Sequence, residues 1–94
     1  MGSITKDTVL AFGPAATVQP VGDGVVVLLT DSGQLFTGNA TAEAVLRLVD
    51  GRRRVADIGA GLCDEFEVEL DDAIGDTLGV AAELVEERIL VVVG

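Results

Sequence analysis

Apolar positions along the chain keep two rhythms, one suited to strands and one to helices. Gly24 to Thr30 reads Gly-Val-Val-Val-Leu-Leu-Thr, a β-branched run whose continuous apolar character predicts a strand covered on both faces. Asp31-Ser32-Gly33 carries turn chemistry, so Gln34 to Thr37 is the expected returning strand of a hairpin. Upstream, Thr17 to Gln19 predicts a short strand stopped by Pro20, and Val21-Gly22-Asp23-Gly24 a turn. After Asn39 the period changes: Ala42, Val45, Leu46 and Val49 fall at i, i+3, i+4 and i+7, one face of a helix. Asn39 can cap its start, and Asp50-Gly51 ends it, with Gly51 suited to a left-handed conformation.

A second helix is expected from about Val55 to Phe66, with Val55, Ile58, Leu62 and Phe66 on one side. Gly59 and Gly61 weaken it by about 1 kcal/mol each relative to Ala, and leave room for another element to come close. A third helix is expected from about Asp71 to Arg88, its first turn acidic as the helix dipole favours. Ile89 to Val93 reads as a final strand or extended tail. Residues 1–16 lack a period and are broken by Gly13 and Pro14, so a flexible N-terminal arm is expected there, with a short strand near Val9 to Ala11. The folded domain is then residues 17–94. Strands followed by three helices predict an α+β fold of the winged helix-turn-helix type, a three-stranded antiparallel sheet followed by three helices.

Composition narrows the function. Acidic residues outnumber basic ones 16 to 6, for a formal net charge of −10. The basic cluster Arg52-Arg53-Arg54 falls in a turn and reads as a solvated connection. Nucleic acid and anionic membrane are therefore disfavoured as partners, whereas a neutral or basic peptide is tolerated. No apolar run approaches the roughly 20 residues of a membrane span. The N-terminus shows no secretory signal, and the one cysteine, Cys63, excludes an internal disulfide. A cytoplasmic location is expected.

Catalytic chemistry is poorly supplied. The chain has no histidine, tyrosine or tryptophan, so the commonest acid–base group is missing and Cys63 has no activating imidazole. Cys63 reads as a small apolar side chain of the second helix. The carboxylates Asp64, Glu65, Glu67, Glu69, Asp71 and Asp72 lack the spacing of a calcium loop and read as a solvated turn. Asp31-Ser32 resembles the attachment site of acyl carrier proteins, but a hairpin turn is not the helix start such a serine needs. No catalytic residue, metal or cofactor is expected.

Two features suit binding. The strand Gln34-Leu35-Phe36-Thr37 falls at or near a sheet edge, where unpaired amides and carbonyls can accept an added strand. A plain structural edge would read the same way. The third helix carries two adjacent apolar stripes, Ile74, Leu78, Ala81, Val85 and Ala73, Thr77, Val80, Leu84. One stripe suffices for a core, leaving the other to line a groove or a homodimer surface.

The stretch Val26-Val27-Leu28-Leu29, turn, Gly33-Gln34-Leu35-Phe36-Thr37-Gly38-Asn39-Ala40-Thr41-Ala42 resembles the strand–turn–strand signature of PqqD-like proteins. Val45-Leu46-Arg47-Leu48-Val49-Asp50-Gly51 is similar to that family's first helix end. Val55-Ala56-Asp57-Ile58 with Leu62 and Phe66 looks like its second helix, and Leu84 with Ile89-Leu90 like its close. The resemblance covers about residues 17 to 92. It implies a small domain that binds the leader of a ribosomally made precursor peptide, lasso peptides and redox-cofactor peptides both being candidate classes. The leader adds as a strand in the cleft against the third helix, and the domain presents it to a modifying enzyme, a leader peptidase or a radical enzyme. Carried onto this chain, the resemblance implies a peptide-binding site of Leu35, Phe36, Thr37, Gly38, Ala73, Asp76, Thr77, Val80 and Leu84. Two departures stand out. Gly38 replaces a usual Leu, which opens a gap or admits a peptide backbone, and Arg54 replaces a usual capping Thr. The competing expectations are a winged-helix transcriptional regulator and a structural subunit that dimerises through the third helix or the tail.

Overall fold

In the computed structural model, which describes residues 4–93, the elements run β1 (Val9–Phe12), β2 (Ala16–Val21), β3 (Gly24–Leu29), β4 (Leu35–Gly38), α1 (Ala40–Leu48), α2 (Val55–Glu65), α3 (Leu70–Glu86) and β5 (Leu90–Val93). Strands β2, β3 and β4 form a three-stranded antiparallel sheet in that order, and β1 pairs antiparallel with β5 in a separate ribbon. The α+β expectation of a three-stranded sheet followed by three helices is met.

Within the stretch expected to be an arm, Val9–Phe12 is strand, paired along its length with Leu90–Val93. The ordered fold therefore begins before residue 17. The reason is burial: Leu10 is fully enclosed, and the far side of β1 is bonded too, Leu10 C=O accepting from Gly51 N–H at 3.0 Å and Thr8 C=O from Val55 N–H at 2.9 Å. Met1–Ser3 of the expected arm and Gly94 lie outside the described residues.

The expectation that β3 is covered on both faces is corrected. Val25, Val27 and Leu29 are buried, while Val26 is half-buried and Leu28 exposed. The helices cover one face of the sheet only, so the alternation typical of an antiparallel sheet holds despite the all-apolar sequence. The core joins those three side chains to Val45, Leu46, Val55, Ile58, Leu62, Leu84, Ile89 and Leu90.

Caps set the helix ends. The Asn39 side chain accepts from Ala42 N–H at 3.0 Å, as expected for α1. Arg54 gives α2 no side-chain cap bond. The Asp57 carboxylate instead reaches back to Arg54 N–H at 3.0 Å, the reciprocal half of a capping box. Helix α3 closes with Ile89 N–H on Leu84 C=O at 2.9 Å and Arg88 N–H on Val85 C=O at 3.0 Å. That is a Schellman closure, with Arg88 at φ 64° where glycine is usual and buried Ile89 and Leu84 as its apolar contact. The arginine run is solvated, its backbone held by the Asp50 carboxylate, which accepts from Arg53 N–H at 2.7 Å and Arg52 N–H at 2.9 Å.

The α2 glycines are contact points. A Cβ on Gly59 would lie 2.8 Å from Ile74 Cγ1 and 3.1 Å from its Cα, and one on Gly61 2.7 Å from Leu48 Cδ1. Gly75 and Gly79 face open space. Gly59→Ala should therefore destabilise the protein by about 1–3 kcal/mol through overpacking. Gly75→Ala should stabilise it by up to about 1 kcal/mol through helix propensity. Urea unfolding of both variants gives the two signs.

Asp50 is held below its ordinary value of 3.8 by the Arg53 and Arg52 amides. Asp57 is held below 3.8 by the Arg54 guanidinium and amide. A carboxyl depressed on folding contributes stability that is present above its unfolded pKa and lost as pH falls through the folded one. Stability should thus decline below about pH 4, and the decline should be shallower in the double variant Asp50→Asn, Asp57→Asn. Urea titrations across that range measure it.

Candidate functional site

The outer margin of β4 is set by hydrogen-bond parity. Leu29 N–H donates to Gln34 C=O at 2.9 Å, and the register continues with Val27 opposite Phe36 and Val25 opposite Gly38. In an antiparallel pair, residues alternate between bonding the partner and facing away. Phe36 and Gly38 therefore bond to β3, while Leu35 and Thr37 turn their N–H and C=O groups outward. No strand among the described residues pairs on that side.

The opposite margin, on β2, is built differently. Thr30 N–H donates to Ala15 C=O at 2.9 Å, which sets Ala16, Val18 and Pro20 facing outward. Proline has no N–H to offer, so this edge is blunted. The β4 edge carries no such block.

Alongside β4 runs α3, and the two frame a slot. A cleft of about 190 Å³ is lined by Phe36, Thr37, Gly38, Asn39, Ala42, Val80 and Glu83. Its volume lies below the roughly 300–1,000 Å³ of small-molecule sites and suits a single side chain. It shares Asn39, Val80 and Glu83 with a second cleft of about 390 Å³ that adds Thr41, Asp76 and Gly79. A third, of about 330 Å³, lies at the other end between Leu29, Asp31, Ser32, Gln34 and Glu86, Glu87, Arg88. Numbers rise along α3 as they fall along β4, so the three clefts follow one seam. From Asp76 to Glu87 it runs about 16 Å at 1.5 Å per residue, about five residues of extended chain.

Of the expected site residues, the structure brings Phe36, Thr37, Gly38, Asp76 and Val80 together around these clefts, with Leu35 on the open edge and exposed. Ala73, Thr77 and Leu84 do not line the slot: all three are fully buried. With Ala81 they form the line that α3 presents to the core, and the Thr77 hydroxyl donates back to Ala73 C=O at 2.8 Å. The buried line thus draws from both apolar stripes, Ala81 from one and Ala73, Thr77 and Leu84 from the other, while Ile74, Leu78 and Val85 are partly buried against the core. The slot is faced instead by Asp76, Gly79, Val80 and Glu83. Asn39, Thr41, Ala42, Gly79 and Glu83 were missed. Glu83 was legible, since Asp76, Val80 and Glu83 fall at i, i+4 and i+7 on one helical face.

Gly38 does not open a gap. A Cβ there would meet Ala42 Cβ at 2.7 Å and Phe36 Cε1 at 3.2 Å, so the glycine lets β4 and α1 pack closely. Cys63 is half-buried, packed against the core. No cluster of metal-ligating side chains occurs among the described residues, and no helix among them is long and apolar enough to cross a membrane.

Known proteins resemble this chain in sequence and in fold. The family model described as coenzyme PQQ synthesis protein D (PqqD) matches residues 24–90, from β3 to the start of β5. No curated protein matches the chain. Among solved structures, TbiB1 in complex with the TbiA(beta) leader peptide is similar with a TM-score of 0.75 and 21% identity, over 85% of this chain and 93% of that one. That likeness is one of fold. A lasso peptide synthetase B1 complexed with its leader peptide is similar with a TM-score of 0.75 and 27% identity, over 87% of this chain and 96% of that one. The family match spans most of the chain, from the central strand through all three helices, and the chain belongs to the PqqD family.

Proposed function

We propose that this protein binds the leader segment of a ribosomally synthesised precursor peptide as an added strand on β4 and presents it to a modifying enzyme. The observation that carries the reading is the unpaired edge: Leu35 and Thr37 offer outward N–H and C=O groups beside clefts floored by Ala42 and walled by Val80. Both solved relatives hold a leader peptide, and one is a lasso peptide synthetase component. A lasso-type precursor is the favoured class and a leader peptidase the favoured partner enzyme. Phe36, Thr37, Gly38, Asp76 and Val80 form the groove, with Leu35 on its rim; Ala73, Thr77 and Leu84 support it from the core. The role is delivery, raising the effective concentration of the substrate at the enzyme. Against a DNA-binding role, the exposed face of α3 carries Asp76, Glu83, Glu86 and Glu87, which repel phosphates.

Hydrogen exchange tests strand addition directly. In the free protein the Leu35 and Thr37 amides should exchange fast, while those of Phe36 and Gly38 are protected by β3. Adding a lasso-type precursor leader peptide should slow exchange at Leu35 and Thr37. Thr37→Pro removes an outward donor and leaves the β3 ladder intact, so it should keep the fold and weaken binding at least about tenfold, or about 1.4 kcal/mol. Unchanged affinity in a folded Thr37→Pro variant would sink the reading.

A further inference from the structure

The slot is lined by carboxylates that the protein leaves uncompensated. Asp76 and Glu83 stand on its α3 wall, Glu86 and Glu87 at its end, and Asp31 comes in from the β3–β4 hairpin. Arg88 is the one cation beside them. The ion pairs among the described residues lie elsewhere: Arg47 bonds Glu43 and Glu65, Arg53 faces Asp50, and Arg54 bonds Asp7 and Asp57. Three of the six basic side chains, Arg47, Arg53 and Arg54, are thus spent around α1 and α2.

Local electrostatics sharpen the imbalance. The C-terminal end of a helix carries partial negative charge from its free carbonyls. The last turn of α3 holds no basic residue, and Glu83, Glu86 and Glu87 cluster at its close. Like charge there works against the helix, so a cation arriving in the slot relieves a repulsion as well as forming a new contact. The β4 wall opposite is uncharged from Gln34 to Asn39.

We propose that the peptide taken by this slot is cationic: an apolar side chain seated against Val80 and Ala42, with Lys or Arg two positions away on the same face of the added strand. Two positions of extended chain span about 7 Å. Asp76 lies four residues from Val80 along α3, about 6 Å, which matches that reach. This rests on the strand-addition reading above, and it names the chemistry of the occupant.

A library of short peptides, randomised at every position and displayed, tests it against the intact protein. The wild type should select peptides with Lys or Arg enriched two positions from an apolar residue. Their affinity should fall several-fold between about 50 and about 500 mM NaCl as screening grows. The variant Asp76→Asn, Glu83→Gln, Glu86→Gln, Glu87→Gln should still select peptides but lose the basic enrichment. Selection of neutral or acidic peptides by the wild type, lost in Thr37→Pro, overturns the charge proposal and leaves strand addition standing. Selection of no peptide, or equal selection by Thr37→Pro, overturns strand addition and this proposal with it.

Discussion

A backbone amide in an antiparallel sheet faces either its partner or the margin, and the rest of this site depends on which way two of them turn. The bond from Leu29 to Gln34 sets the parity of β4, and with it the outward orientation of Leu35 and Thr37. A shift of one residue would send those groups into the sheet and bring Phe36 out of its partly buried seat. The four-residue connection Thr30–Gly33 holds that register, through Gly33 at φ 75° and its N–H on Leu29 C=O at 2.7 Å. The β2 margin shows the contrast, since Pro20 falls at an outward position and removes a donor there. One edge is closed to strand addition by covalent chemistry and the other is left open.

The slot beside that edge exists because α3 meets the core through small side chains. Ala73, Thr77 and Ala81 occupy the buried line with Leu84, and Thr77 satisfies its hydroxyl within its own helix. The helix can then sit close to the core while Val80 and its acidic neighbours stay free to face β4. Gly59 allows the same closeness on the α2 side, where Ile74 fills the space a Cβ would take. Gly38 does so at the foot of the slot, against Ala42.

Much of this was legible in the sequence, and what was not has physical causes. The hairpin, the Asn39 cap and the three helices followed from turn chemistry and period. The one-sided burial of β3 did not, because Val26 and Leu28 read as buried in any apolar run, and only tertiary placement shows that no layer covers them. On α3 two adjacent apolar stripes were evident, but their order around the axis was not. Nothing in a period of 3.6 says which stripe meets the core, and Ala73 and Thr77 are too small and too mild to announce burial. A short strand near Val9 to Ala11 and a terminal strand at Ile89 to Val93 were legible, but their pairing was not, since the two are separated by nearly the whole chain and Gly13 and Pro14 mimic a loose arm. The glycines give an ambiguous signal: a glycine marks room for a close approach without naming what approaches, which is Ile74 at Gly59 and Ala42 at Gly38.

Magnitudes decide what the edge contributes and what the side chains must add. Ordering an extended residue costs about 1–2 kcal/mol of backbone entropy, so five residues along the seam cost on the order of 5–10 kcal/mol. Two outward residues exchange four hydrogen bonds at about 0.5–1.5 kcal/mol net each, which returns about 2–6. The edge alone therefore does not hold a peptide, and it carries no sequence information, since every non-proline backbone offers the same groups. Burying about 100 Å² of an anchor side chain against Val80 and Ala42 adds about 2.5 kcal/mol. That offsets the ordering of the chain but not the cost of association itself, so further anchors and charge contacts decide between binding and release. In the proposed role of handing a cargo to an enzyme such a balance is an advantage: the strand would give direction and register, while the clefts and their carboxylates would choose which chain is carried.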